Sequence, residues 1–428
     1  MTGPGMQAAT RGLGAVNSPG WVIDLTGGFL SKCHSNPSQC VFGADGIYMQ
    51  LKKILRCAAT GWALLLVCAG PLSAAAEAGR PFTPGEVWND TDGKPINAHG
   101  GGILFHDGTY YWYGELKEGR TYLPASNASW GGTRVVAGGV SCYSSTNLLD
   151  WRNEGVALNS VADKPEHDLH CSKVLERPKV IYNKTTKQFV MWLHVDSENY
   201  AAARSGVAVS SSPTGPFHYL ESFRPNAGIW PQNATATDKK PGPKNNLARD
   251  FAGGQMARDM TLFVDDDGKA YQFYASEGNP TMHVSELTTD YLRPAGRYAR
   301  IFVDRSMEAP AVFKRGEKYY IIASGCTAWA PNAARSAVAD SIWGPWKELG
   351  NPCCGDDANN TFHAQSTFVL PVQGKKDTFI FMADRWKQWD LQNSRHLWLP
   401  IEFDGDGKPT VSWQSSWSLK NPDLAKTN

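Results

Sequence analysis

Past the first eighty or so residues, apolar and aromatic positions come in short runs, each closed by a polar turn, and helical spacing is almost absent. Five stretches follow one scheme: HDGTYYWYGE (106–115), KTTKQFVMWLHVD (184–196), DDDGKAYQFYAS (265–276), KRGEKYYIIASG (314–325) and GKKDTFIFMADRW (374–386). Each is a polar turn leading into a strand, and each follows an apolar strand: GGGILF, RPKVIYN, RDMTLFV, EAPAVFK and QSTFVLP. That is the pattern of a hairpin. A further strand and aromatic-tipped return follows three of them, in CYSSTNLLDW (142–151), AVSSSPTGPF (208–217) and AVADSIWGPW (337–346). Five such units at roughly 70 residues each predict an all-β fold, a five-bladed β-propeller. The three Asp of VDDDGKAY (264–271) lack the alternating ligands and closing Glu of a calcium loop, so they read as a type I′ hairpin turn. The Pro/Asn/Lys-rich stretch 227–251 reads as a long loop walling a pocket.

Charge narrows the function. Of 428 residues, 42 are Lys or Arg and 41 Asp or Glu, a net charge of +1, which leaves no surplus to neutralise nucleic-acid phosphates. The 16 Trp need either a core or a flat ligand to stack on.

Residues 49–78 have the form of a secretory signal: Lys52, Lys53 and Arg56, then an apolar stretch from Ala58 to Ala69, then small residues. It is too short for a stable membrane span. Residues 1–48 are expected to be an over-extended start, leaving 79–428 as one exported propeller domain, periplasmic or secreted. Export leaves five cysteines (Cys142, Cys171, Cys326, Cys353 and Cys354), with Cys142–Cys171 as a candidate bridge. No zinc spacing occurs.

A propeller brings the first strand of every blade to its axis. Those strands start at INAHGGGI (96–103), LERPKVI (175–181), ARDMTLF (257–263), MEAPAVF (307–313) and HAQSTFV (363–369). Corresponding positions carry Glu176, Asp259, Glu308 and Gln365, with Asn97 and His99 in the first unit. Carboxylates that converge repel, so one keeps its proton. Glycoside hydrolysis requires such a donor, together with a second group to handle water.

The motifs INAHGGGILFHDGTYYWYGE, ERPKVIYN, ARDMTLFVDDDGKAY, MEAPAVFKRGEKYY, AWAPN, QSTFVLP, DRW and SRHLWLPI make the chain resemble glycoside hydrolase family 43 from Val87 to Trp417. More narrowly it is similar to the exo-β-1,3-galactanase and β-galactosidase branch. The resemblance implies an inverting mechanism, with Glu308 as general acid and Asp259 tuning it and holding sugar. The wider family's first-blade base Asp is missing; Ala98-His99-Gly100 stands there. In the similar branch, Gln365 and Glu176 are then the candidates for handling water. A neutral amide is a poor base and Glu176 a better one, so Glu176 is either base or sugar ligand. The resemblance also points to Glu115, Tyr200 and Asn279 as sugar contacts. Trp329 and Trp386 offer stacking faces, Asn97 and His99 are further sugar ligands or axial floor, and Arg177 and Arg258 are placed to pair with the axial acids.

The expected substrate is a galactose-containing oligo- or polysaccharide of the galactan or arabinogalactan type. No cofactor is expected, although propellers of this family sometimes hold an axial cation. The alternatives are an α-L-arabinofuranosidase or β-xylosidase of the same family, and a non-catalytic carbohydrate-binding propeller.

Overall fold

The computed structural model describes residues 80–419. The signal segment 49–78 and residues 1–48 lie outside the described residues. Each repeat unit forms one antiparallel sheet of four strands in sequence order, the first innermost. Blade one holds His99–His106, Thr109–Lys117, Ala137–Ser145 and Arg152–Asn159. Blade two holds Val174–Asn183, Gln188–Asp196, Arg204–Ser210 and His218–Phe223. Blade three holds Met260–Val264, Ala270–Ser276, Thr281–Leu287 and Pro294–Ile301. Blade four holds Met307–Arg315, Lys318–Gly325, Arg335–Ala339 and Lys347–Gly350. Blade five holds Gln365–Pro371, Phe379–Arg385, Arg395–Phe403 and Pro409–Ser412, with Cys353–Cys354 added in parallel at its edge. The five sheets form a ring, a five-bladed β-propeller.

Both faces of a blade are covered by its neighbours, so the second strands are buried almost throughout, whereas outermost strands such as Arg152–Asn159 are half exposed. Separate apolar clusters fill the gaps between blades one and two, two and three, and three and four. The largest cluster joins blade five to blades one and four. Much of the tryptophan is spent there: Trp112 packs edge-on against Trp151 at 5.3 Å and lies 4.8 Å from Trp398, contacts worth about 0.5–1.5 kcal/mol each beyond area burial. Phe82 pairs with Trp417 in a backbone bridge and stacks on it at 4.4 Å, closing the ring between the two ends of the described chain.

A shared irregularity aims the axial side chains. In blades one, two and four the pairing slips just after the axial residue, between His99 and Gly102, Glu176 and Lys179, and Glu308 and Ala311. The next residue is left-handed in all three: Gly100 at φ 60°, Arg177 at 54° and Ala309 at 53°. Such bulges re-aim the neighbouring side chain. At Gly100 no other residue fits, because a Cβ would lie 2.0 Å from Glu115 Oε1.

Three expectations are corrected. The 264–271 loop is longer than a type I′ turn: Asp265 N bonds Lys269 O, and only Gly268 has a positive φ. Its Asp265 and Asp266 carboxylates take Lys314, not an ion. The 227–251 segment packs on the outer strand of blade three through Gln232 N to Tyr298 O and Asp238 to Arg300, and none of its residues lines the cavity described below. All five described cysteines are unpaired. Cys171 O bonds Ala137 N at one end of a strand, while Cys142 lies five residues along it. Five residues of strand span about 16 Å, beyond the reach of a disulfide.

Candidate active site

The axial residues open into a cavity of about 410 Å³ lined by Glu115, Glu176, Arg177, Asp259, Glu308 and Gln365 from the inner strands and their partners, and by aromatic residues above them. Arg177 organises its floor. Its guanidinium lies 2.9 Å from Asp259 Oδ2 and donates to Gln365 Oε1 at 2.6 Å and Ser366 O at 3.0 Å; its backbone N–H donates to Glu115 Oε1. One buried cation thus ties blades two, three and five together and orients an acid and an amide.

Glu308 is in another state. Burial, reinforced by the Asp259 carboxylate, pushes its carboxyl up to about 8, so it is protonated at neutral pH. Gln365 Nε2 donates to Glu308 Oε1 at 3.1 Å and to Ser324 Oγ at 3.0 Å. Gln365 Oε1 also accepts from Trp386 Nε1 at 3.0 Å. With Arg177, these contacts fill all four hydrogen-bonding positions of the amide. Asp259 Oδ2 accepts from Ala309 N at 3.1 Å, beside the acid's own strand.

Glu176 behaves oppositely. Burial alone would favour its neutral form, but His194, Lys117 and the Tyr200 hydroxyl at 2.7 Å draw it down to about 2. His194 lies 3.4 Å from Glu176 and 3.0 Å from Asp196, and these partners overcome its burial and lift it to about 9. The site therefore holds one protonated acid and one firmly ionised carboxylate, the division of labour that glycoside hydrolysis uses.

The cavity gathers Glu115, Tyr200, Asn279, Trp329 and Trp386 as well as the four axial residues. Glu115 is largely occupied, by Lys117 at 2.7 Å and by Arg177 N. Asn97 and His99 are not among the lining residues. Asn97 is exchanged in two hydrogen bonds with the Lys117 backbone. His99 is 0% exposed, 3.4 Å from Asp384 and stacked at 4.7 Å on His396, and burial lowers it to about 4. Arg258 reaches Asp196 and Asn279 instead of an axial acid.

The sequence reading missed Trp130, His194, Asn199 and Cys326, which also line the cavity. His194 had a signal, since it stands two residues before Asp196 on the strand opposite Glu176. Trp130 had none.

Two groups of side chains are close enough to share a metal ion: Glu176, His194 and Asp259, and the buried His99, Asp384 and His396. In the first, Arg177 and a charged His194 already balance the carboxylates, so a cation would meet repulsion. In the second, Asp384 accepts from Gly100 N at 2.6 Å and faces both imidazoles, its charge already matched by donors. A buried amine also stands between blades one and two: Lys179 Nζ donates to Gly100 O at 2.9 Å, and burial, with the nearby Arg177 charge, lowers it to about 7.

The family model for glycosyl hydrolases family 43 matches residues 102–409. The chain belongs to glycoside hydrolase family 43. As a family 43 member it is a glycosidase. It is similar to a family 43 β-1,3-galactosidase solved with galactodeoxynojirimycin, with 47% identity, 79% of this chain and 100% of that one covered, and a TM-score of 0.72. It is also similar to an exo-β-1,3-galactanase from Clostridium thermocellum (36% identity, 78% and 66% covered, TM-score 0.65). A third likeness is to the Phanerochaete chrysosporium exo-β-1,3-galactanase solved with β-1,3-galactotriose (32% identity, 80% and 69% covered, TM-score 0.64). No curated protein matches. Among the described residues no helix is long and apolar enough to cross a membrane.

Proposed function

We propose that this family 43 glycosidase is an exo-acting, inverting enzyme that removes terminal β-1,3-linked galactose from galactan or arabinogalactan-type glycans. The observation that carries this reading is the Glu308 carboxyl, held protonated to about pH 8 beside Asp259 at the bottom of a walled cavity. The sugar assignment is supported by the β-1,3-galactosidase and galactanase likenesses. In this reading the 49–78 leader carries the enzyme to the periplasm or outside the cell.

Glu308 donates its proton to the glycosidic oxygen as the bond to the terminal sugar breaks. Water attacks the anomeric carbon from the opposite face, giving the inverted sugar. Asp259 helps to keep Glu308 protonated between turnovers and, held in place by Arg177 at 2.9 Å, offers its oxygens to sugar hydroxyls. Glu176 and Gln365 are the two candidates to handle the water, Glu176 as base or as sugar ligand. Glu176 is the ionised acceptor with lone pairs left after Tyr200 and His194 are served. Gln365 fixes the acid, and reaches the water only by releasing Arg177 or Trp386.

The test is product analysis by proton NMR on a β-1,3-galactan and on an arabinan. The expected outcome is free α-galactose from the galactan as the first anomer seen, and nothing from the arabinan. Arabinose release instead would overturn the sugar assignment, and β-galactose first would overturn inversion. In Glu308→Ala, galactan hydrolysis should fall by about 10²–10⁴; wild type and variant releasing the same background sugar would leave only a carbohydrate-binding role.

A further inference from the structure

Among the described residues most Trp are packed or form the cavity floor, and the 40% exposed Trp413 lies against Phe362 and Arg385, but Trp130 and Trp389 are 44% and 66% exposed. Trp130 stands in the segment 118–136 between two strands of blade one, and Trp389 in 386–394 between two strands of blade five. These segments are tied to each other. Gln388 Nε2 donates to Gly131 O at 2.9 Å, Thr133 Oγ1 to Gln388 O at 2.5 Å, Gly119 N to Gln392 Oε1 at 3.0 Å, and Leu391 N to Thr121 Oγ1 at 2.9 Å. The first segment is also fixed to blade two by the fully buried Asn127, which donates to Glu198 O at 3.0 Å, and to blade four by Trp329 Nε1 on Thr133 O at 3.1 Å. It is a built wall that joins blade one to blades two, four and five.

The Trp130 indole is held in place at the wall. It meets Tyr200 edge-on at 5.4 Å and lies against the backbone of Gly132, where a Cβ would come within 2.1 Å of the ring. Nothing further covers it, and it lines the cavity. Holding a large apolar face in water is unfavourable unless a ligand covers it. Depth separates it from the floor pair. Trp386 bonds Gln365, beside the acid, so it meets the sugar being released. Trp130 stands beyond Tyr200, toward solvent, where an exo-acting enzyme receives the rest of the chain.

We propose that Trp130 is the stacking platform for the leaving-group sugar, the unit whose oxygen Glu308 protonates. This rests on the exo-galactosidase reading and adds to it a requirement for an oligosaccharide leaving group. An apolar CH face of the sugar would lie on the indole, and its binding energy would act in the transition state for departure.

The experiment compares Trp130→Ala on β-galactosyl fluoride, whose leaving group has no ring, and on β-1,3-galactobiose. The expected result is a fall in kcat/KM of about tenfold or more on the disaccharide, equivalent to about 1.4 kcal/mol, with the fluoride within about twofold of wild type. Gly132→Ala, which displaces the indole without removing it, should show the same split. Equal losses on fluoride and disaccharide in Trp130→Ala, or no loss on either, overturn the assignment of Trp130. A wild type that releases galactose from neither substrate sinks the proposed function itself, and this reading with it.

Discussion

Gln365 donates to the Glu308 carboxyl at 3.1 Å, so an amide from blade five addresses the proton donor of blade four. The contact makes Gln365→Glu informative. The new carboxylate would sit within reach of Arg177, which holds it ionised, and against Glu308, which it repels. Glu308 should then keep its proton to higher pH. The alkaline limb of kcat/KM is expected to move upward from about 8; a downward move would show that the amide does not face the acid.

Asp259 should act in the opposite sense when neutralised. Burial is the larger cause of the raised Glu308 value and the Asp259 charge the second. In Asp259→Asn the second cause is gone, and Arg177 is left free to favour ionised Glu308. The alkaline midpoint should fall below that of wild type, with a lower kcat at neutral pH. The measurement is a pH–rate profile of both proteins, and an unmoved limb would falsify the electrostatic pairing.

Glu176→Gln separates base from sugar ligand. Glu176 is ionised down to about pH 2, so the wild-type rate should show no acid limb from it above about pH 3. If Glu176 takes the water's proton, kcat should fall by about 10² or more and added azide should restore turnover. A rise in KM with kcat preserved would make it a sugar ligand alone.

His194 links the site to stability. Its folded value, about 9, lies above the ordinary 6.5. A group raised on folding stabilises fully below its unfolded value, and that contribution fades as pH rises. Tm should therefore decline between about pH 6.5 and 9, and His194→Gln should flatten the decline. An equally steep fall in the variant would assign it to other groups.

The unpaired cysteines give a simple check. A reducing agent should leave Tm unchanged, because no described cysteine is bonded to another. A drop of several degrees would reveal a bridge.

The ring was legible in the chain because five blades repeat one local scheme, and repetition marks equivalent positions even when they lie far apart. Asp259, Glu308 and Gln365 became visible together for that reason. That one carboxylate keeps its proton was legible as well; the firmly ionised state of Glu176 was not, since it depends on His194 reaching across from the neighbouring strand. The bulges at Gly100, Arg177 and Ala309 leave little trace either, because two of the three left-handed positions are not glycine. The wall was misplaced for a related cause. Residues 227–251 and 118–136 are both aperiodic, and only hydrogen bonds to distant blades decide which one borders the cavity. His99, two residues from an apolar strand start, looked like a ligand; Asp384, which claims it, lies in another blade.

The bridge between Phe82 and Trp417 sets an order on assembly. Blades one to four can collapse as they emerge from the ribosome, yet the last of the fold must find its oldest segment before the clasp snaps shut. Replacing Trp417 would unseat that clasp but leave the rest of the seam, where Trp112 meets Trp398 and Gly100 N meets Asp384.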